Sequence, residues 1–420
     1  MRKNIKDQYR FARDSYGKLG VDTDSAINRL KDKSISLHCW QGDDVAGFEP
    51  KRRGLSGGIQ VTGNYPGRAR NISELKQDLE LALCLIPGKN RVSLHAIYGD
   101  FGEEPVERNE IKIDHFQTWI EWARQKNLAI DFNSTLFSHP WSENGFTLSS
   151  KNNEIRRFWV EHIVCCRKIA EEIGKKLNQP VIHNLWIPDG MKDVCIDRIG
   201  YRRLLLNSLN EIFKKNYNKK FLKDALEPKL FGIGTETYVV GSFEFYLGYA
   251  LKNNLMLCLD LGHFHPTESV ADKISSLLLF MKEIYLHISR GVRWDSDHIP
   301  IFDDTLKDLF LEIVRSDALN RVHIGLDYFD ATLNRVGAWV VGARAVQKAI
   351  LYALLEPKRK LLEYEVKKDY LSRLCLYENL KTMPFNGVWD YYCLISDVPL
   401  EPDWLIEIHK YEKTVLSKRI

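Results

Sequence analysis

The sequence lacks several features that would have pointed elsewhere. No apolar run approaches the roughly 18 residues a membrane-spanning helix needs, so no membrane partner is expected. The opening MRKNIKDQYRFARDSYG has no apolar stretch of the kind that marks a secretory signal, and a cytoplasmic location is expected. Neither sign of charge is in excess. Against 56 Asp and Glu stand 60 Lys and Arg, without a strong basic block, which argues against nucleic acid as a partner. The eight cysteines (Cys39, Cys84, Cys165, Cys166, Cys195, Cys258, Cys375, Cys393) form no CxxC pairs, so a thiolate zinc site is not expected. They sit mostly inside apolar runs and read as buried, reduced thiols. No Gly/Ser-rich linker, internal repeat or low-complexity segment divides the chain. Gly232-Ile-Gly234 is too short for a dinucleotide site and reads as a turn.

What is present is an alternation. The first 33 or so residues look helical, with a helix start between Asp22 and Ser25. Eight short apolar runs follow, at 35–40, 92–97, 128–132, 181–187, 222–227, 255–260, 284–288 and 322–327. Between them lie amphipathic stretches such as 74–85, 116–125 and 155–175. Strands alternating with helices imply βαβ units and a parallel sheet. Eight such units imply a closed (β/α)₈ barrel, a TIM barrel of the α/β class. Leu230 to Val240 is an alternative fifth strand, which would move a carboxylate end from Glu227 to Glu236. Beyond Asp327 helical patterns cover 339–355, 358–379, 388–394 and 404–417. The expected organisation is an N-terminal helical segment (1–34), a catalytic barrel (35–345) and a C-terminal helical extension (346–420) suited to subunit contacts.

In such a barrel the strand ends converge on one mouth, where the chemistry sits. The polar residues here fall at those ends. Strand 1 ends in His38-Cys-Trp40-Gln41, strand 2 carries His95, strand 3 reaches Asp131 and Asn133, and strand 4 ends at Trp186. Glu227 with Lys229, Asp260 with His263, His287 and Asp327 follow from strands 5 to 8. Glu227, Asp260, His287 and Asp327 would ring one cation. His263, Asp295 and Asp297 could hold a second, with Asp260 as a bridge. Divalent cations such as Mn²⁺ and Zn²⁺ accept that mixture of oxygen and nitrogen ligands. Each residue alone has a blander reading: a strand-end Asp is often a helix cap, and a lone histidine is more often a satisfied core residue. His265, His298, His323 and Asp303-Asp304 are left structural on that ground. Seven ligand-type side chains at one mouth would be a poor accident. Trp40, Trp186, Phe132 and Trp294 add flat apolar faces that suit a sugar or polyol.

Several longer phrases share a likeness. They are His38-Cys-Trp-Gln-Gly-Asp-Asp44, Gly57-Gly-Ile-Gln-Val-Thr-Gly-Asn-Tyr-Pro-Gly67, Leu94-His-Ala-Ile-Tyr98 and Asn184-Leu-Trp-Ile-Pro-Asp-Gly-Met-Lys-Asp193. Asp260-Leu-Gly-His-Phe-His-Pro-Thr-Glu268, Arg293-Trp-Asp-Ser-Asp-His298 and Gly325-Leu-Asp-Tyr-Phe-Asp330 complete the set. Over nearly its whole length the chain resembles the L-rhamnose isomerase family. The resemblance implies a homotetrameric xylose-isomerase-like barrel interconverting L-rhamnose and L-rhamnulose. It implies a catalytic Mn²⁺ on His263, Asp295 and Asp297, and a structural divalent ion (Zn²⁺ or Mn²⁺) on Glu227, Asp260, His287 and Asp327. Lys229, His95, Trp40 and Trp186 would shape or contact the substrate, with Asp297, His263, Lys229 and Asp327 as the catalytic group. The Glu-x-Lys motif reads Glu227-Pro228-Lys229, a stiffened turn that keeps both functional side chains.

Ions chelating neighbouring sugar oxygens would polarise the C1 carbonyl and acidify the C2 hydroxyl. The expected route is a hydride shift from C2 to C1, with metal-bound water or hydroxide handling the hydroxyl protons; an ene-diol is the competing route. The glycine-rich 57–71 segment is a candidate lid or an ordinary loop. Other readings are a related aldose isomerase or epimerase, a sugar-binding protein without catalysis, or a metal-dependent phosphoester hydrolase. The hydrolase would want more Arg and Lys at the mouth.

Overall fold

A computed structural model describes residues 2–50, 54–103 and 105–419. Met1 and Ile420, the outer ends of the two expected terminal segments, lie outside the described residues. The chain opens with two helices, α1 (Arg2–Gly17) and α2 (Thr23–Asp32). Asp22 caps α2 by accepting from the Ser25 amide at 3.0 Å, the bond a short acidic side chain makes at a helix start.

Eight parallel strands then close into a barrel: β1 (Ile35–His38), β2 (Asn90–His95), β3 (Ala129–Asn133), β4 (Val181–Trp186), β5 (Leu222–Glu227), β6 (Met256–Asp260), β7 (Ile284–Ile288) and β8 (Val322–Leu326). Each is followed by a helix: α3 (Ile72–Leu85), α4 (Gln117–Gln125), α5 (Asn153–Leu177), α6 (Arg198–Ile212), α7 (Phe243–Asn253), α8 (Ala271–Leu278), α9 (Asp304–Arg315) and α10 (Arg335–Leu354). The fifth strand is 222–227. Of the alternative segment only Tyr238–Val239 is extended, pairing antiparallel with Gly190–Met191 outside the barrel, and Glu236 is exposed.

Because side chains alternate along a strand, one phase of every strand fills the barrel and the other meets the helices. Phe132 belongs to the outer phase and packs edge-on against Phe116, so it is no wall of the mouth. The inner phase forms layers. At the N-terminal end Arg91 pairs with Asp131, and Lys223 and His323 meet Glu283; Asp131 is thus a structural carboxylate. Above it lie Ile182, Ala225, Met256, Cys258 and Tyr285. Gly325 belongs to this layer because a Cβ there would sit 2.3 Å from the Tyr285 hydroxyl. The top layer carries His38, His95, Asn133, Asn184, Glu227, Asp260 and His287. Register pairs His95 with Asn133, Asn133 with Asn184 and Asp260 with His287, and sets Glu227 level with Trp186 at the end of β4.

Helix α10 runs on through 345 to Leu354, buried almost along its length. The pattern at 358–379 is two helices, α11 (Lys358–Val366) and α12 (Tyr370–Leu380). They break where Lys368 takes φ +58° and Asp369 caps the second by accepting from the Ser372 amide. Next come α13 (Phe385–Ile395), which packs on α1 through stacked Tyr9 and Tyr391 rings, and α14 (Trp404–Thr414). Of the cysteines, Cys84 and Cys375 are exposed and Cys165 half-buried; the other five are buried, and none is in a disulfide. Among the described residues no single helix is long and apolar enough to cross a membrane.

The chain's end returns to the barrel rim. Tyr65 donates to Glu412 at 2.7 Å, and the buried Arg419 guanidinium reaches both Asp78 oxygens at 2.6 and 2.8 Å. Arg419→Ala would leave the Asp78 carboxylate buried with Tyr411 as its remaining side-chain donor. It is expected to cost about 3 kcal/mol, read as a lowered urea midpoint with an unchanged slope.

Candidate active site

The site is assembled from strand ends, because a strand end is where an inward side chain meets both the barrel interior and the loops above. Glu227 ends β5, Asp260 ends β6, His287 lies in the last turn of β7 and Asp327 follows β8. One donor atom from each of these four lies within 4.8 Å of the others. His287 Nδ1 is 3.1 Å from Glu227 Oε2 and 2.9 Å from Asp327 Oδ2, with Asp260 Oδ2 at 4.0 Å. Asp327 is held from its other side by the Trp40 indole N–H at 3.0 Å. Asp260 Oδ1 accepts from the Gly262 amide at 2.7 Å and the Ser289 hydroxyl at 3.1 Å. Gly262 is required at this turn, since a Cβ there would sit 2.6 Å from an Asp295 oxygen.

His263 stands on the short helical turn after β6. Its Nδ1 lies 3.0 Å from the Pro228 carbonyl, and its Nε2 faces Asp295 Oδ2 at 3.4 Å. A metal-ligating histidine commonly donates one ring N–H to a carbonyl and so frees the other nitrogen as a ligand. Lys229 Nζ lies 2.9 Å from the same Asp295 oxygen and over the Trp186 ring at 4.9 Å. Asp297 lines the same cavity at φ +45°. The structure thus gathers the first expected ligand set in full. Of the second it brings His263 and Asp295 together, but His263, Asp295 and Asp297 do not form a compact set among the described residues. Lys229 and His263 neutralise Asp295 there instead.

Charge is unbalanced in this space. Five carboxylates (Glu227, Asp260, Asp295, Asp297, Asp327) face three groups able to carry positive charge, Lys229, His263 and His287. Burial and the neighbouring carboxylates push Asp260 up to about 7, and Asp297 well above the usual carboxylate range. Burial alone would lower the two histidines, yet adjacent acidic groups overcome it and raise both well above the ordinary imidazole value. Glu227, opposite those imidazoles, is held well below its ordinary value despite its burial. Asp260 Oδ2, Asp295 Oδ1 and His287 Nε2 are buried without a hydrogen-bond partner. Buried polar atoms in native proteins are almost always paired. Three such atoms at a mixed oxygen and nitrogen cluster fit a divalent cation, and the residues present match that requirement.

The walls are Trp40, Val45, Ile59, Phe137, Trp186 and Phe329, with Gly58 and Ile59 of the 57–71 segment closing over them. Trp294 is 47% exposed and lines a neighbouring cavity, so it is no wall here. His95 lies in the cavity, with Nδ1 3.0 Å from Thr135 Oγ1, and burial pushes it down to about 4. His38 Nε2 donates to the Tyr328 carbonyl beneath, outside the cavity lining. Asn133, expected at the end of strand 3, lines the cavity, whereas Asn184, Phe137 and Phe329 were not singled out from the sequence. Asn184 had a signal, since it lies two residues before Trp186 on the same strand phase. The phenylalanines lie in loops, where no period marks them. Lys229 is the only Lys or Arg lining the cavity among the described residues, which gives a phosphoryl-transfer reading no support.

Barrel, ligand cluster and unbalanced charge define a metal-dependent enzyme. A family model described as L-rhamnose isomerase matches residues 3–419. The chain is similar to the L-rhamnose isomerase of Rhodopirellula baltica, at 52% identity over 416 residues covering 99% of this chain and 97% of that one. It is similar to the L-rhamnose isomerase of Bacteroides thetaiotaomicron at 53% identity over 415 residues, covering 99% of each. A solved structure of L-ribulose 3-epimerase aligns with a TM-score of 0.45 at 12% identity, over 78% of this chain and 96% of that one. The chain belongs to the L-rhamnose isomerase family, whose members are metal-dependent isomerases.

Ligands must shed protons to take a metal. With His263, His287, Asp260 and Asp297 all raised, Mn²⁺ added to metal-stripped protein at pH 7 should release protons into a weakly buffered solution. Apparent affinity should rise as pH increases from 5 to 8. Proton uptake, or affinity independent of pH, would contradict the charge assignment.

Proposed function

We propose that the chain interconverts L-rhamnose and L-rhamnulose in L-rhamnose catabolism. The observation that carries the reading is the set Glu227, Asp260, His287 and Asp327, four donors within 4.8 Å beside a wall of indole and phenyl faces. Family membership over nearly the whole chain supplies the substrate. On this reading His263, Asp295 and Asp297 hold a catalytic Mn²⁺, and Glu227, Asp260, His287 and Asp327 hold a second, structural ion, Zn²⁺ or Mn²⁺.

Bound there, the cations would act as Lewis acids on adjacent sugar oxygens, polarising the C1 carbonyl and acidifying the C2 hydroxyl. The residues supply the rest. Lys229 stays charged: burial lowers its affinity for a proton, but Asp295 and Asp297 outweigh that. Its ammonium is the donor for the C1 oxygen as negative charge gathers there. Hydrogen moves with its electron pair from C2 to C1 while the O2 proton passes to O1, which balances aldose against ketose. Asp297 is the acceptor for that proton in transit. This route asks no side chain to abstract a proton from carbon. His95, neutral and fixed by Thr135, orients the sugar hydroxyls. Trp40, tied to Asp327, and Trp186 give flat faces for the C–H surface and keep water out.

The second part of the proposal concerns assembly. The protein is a cytoplasmic homotetramer with one barrel domain, residues 35–345, flanked by segments 1–34 and 346–420. The exposed apolar side chains of Val366, Leu371 and Leu374 on α11 and α12 suit subunit contacts.

The test is ketose formation from L-rhamnose by metal-stripped protein, with and without Mn²⁺. Activity should return with Mn²⁺ and fall by about 10³-fold in His263→Ala, the several kcal/mol such an ion contributes. If no divalent ion yields L-rhamnulose, the substrate assignment is wrong.

A further inference from the structure

Arg108 lies outside the cavity, in the loop between β2 and α4, yet it is 3% exposed and all five of its N–H donors are engaged. Nε and Nη2 make a two-pronged pair with Glu49 of the β1–α3 loop, both at 2.8 Å. Nη1 donates to the carbonyls of Thr135 at 3.0 Å and Phe137 at 2.7 Å, and Nη2 also donates to Ser138 at 3.2 Å. These three belong to the β3–α5 loop. One guanidinium therefore keys together the loops that follow the first three strands.

Its backbone extends the link. The Arg108 carbonyl accepts from His162 Nδ1 at 2.8 Å, and His162 Nε2 accepts from the Thr135 amide at 3.1 Å. Thr135 in turn meets His95 through its hydroxyl. Phe137 lies edge-on to His95, with ring centres 5.4 Å apart, and 6.0 Å from Trp186. Ser138 is held at φ +54°, a conformation a non-glycine residue keeps only when its surroundings enforce it. Above, Gly57 comes so near that a Cβ there would sit 2.9 Å from Phe137 Cβ, and the adjacent Gly58 and Ile59 line the cavity.

We propose that Arg108 is a positioning residue for the isomerase reaction: its planar fork sets Thr135 and Phe137, and through them the His95 and Phe137 wall that grips the sugar away from the ions. The inference rests on the isomerase reading. Lysine cannot replace the fork, since it has three donors around one point and no plane.

The test compares Arg108→Lys and Thr135→Val with wild-type protein on L-rhamnose, with bound metal and the unfolding midpoint measured alongside. Wild-type turnover decides the isomerase reading; only the variant-to-wild-type ratio decides this proposal. Arg108→Lys should keep the wild-type ion content, raise KM about tenfold or more, and hold kcat within about threefold, because misplacement of a binding wall acts on substrate grip. Thr135→Val, which removes only the hydroxyl on His95, should raise KM in the same direction by less. A folded, metal-replete Arg108→Lys with unchanged KM overturns the proposal, as does a loss that tracks lost ions. If Arg108→Lys does not fold, Thr135→Val decides: a raised KM supports the link and an unchanged KM overturns it.

Discussion

Negative charge buried at the mouth of the barrel is the constraint to which the rest of the molecule is arranged. Removing a carboxylate from water costs several kcal/mol unless partners replace the lost hydration. Here five carboxylates share one space with an ammonium and three imidazoles, of which burial keeps His95 neutral. Protons can relieve the imbalance, which is why Asp260 is pushed up to about 7. Divalent cations would relieve it more completely, because they would also meet the lone pairs left without partners on Asp260 and Asp295. A divalent cation held there would satisfy groups that the protein alone leaves unpaired.

The barrel supplies rigidity for this arrangement. Strand ends fix the Cα positions of Glu227, Asp260 and His287 through ladder hydrogen bonds, so the donors cannot drift apart to reduce their repulsion. Loops supply what the strands cannot. The turn after β6 brings His263 over the cavity, and the β7–α9 loop brings Asp295 and Asp297. Around them the C-terminal helices pin the segment after β1: Arg335 pairs with Asp44 and bonds the Tyr65 carbonyl, and Leu416 abuts Gly67. Chain far from the chemistry therefore holds the roof that contains Gly58 and Ile59.

Much of this was readable before any coordinates. Short apolar runs alternating with helical stretches gave the eight strands, with the fifth left between two segments, and the convergence of strand ends on one mouth gathered the four-residue ligand group. The phase of single residues was harder. Asp131 and Phe132 occupy neighbouring positions, yet one points to the far end of the barrel interior and the other to the helices. Without register, a strand-end aromatic and a cavity wall look alike. Loop residues were the least legible. Trp294 sits beside Asp295 in sequence but turns outward, while Phe137, unmarked by any pattern, lines the site. Arg108 gave no signal at all, because its role depends on three loops meeting, which sequence spacing does not encode. The break between α11 and α12 was hidden too, since Lys368 is an unremarkable residue in a left-handed conformation.

The most direct test of the central claim is crystallography of the protein grown with Mn²⁺, using anomalous scattering at the manganese edge. The account requires one peak within bonding distance of Glu227, Asp260, His287 and Asp327, and a second beside His263, Asp295 and Asp297. Metal-saturated crystals showing no peak at either position, with the carboxylates hydrogen-bonded to one another instead, would contradict it.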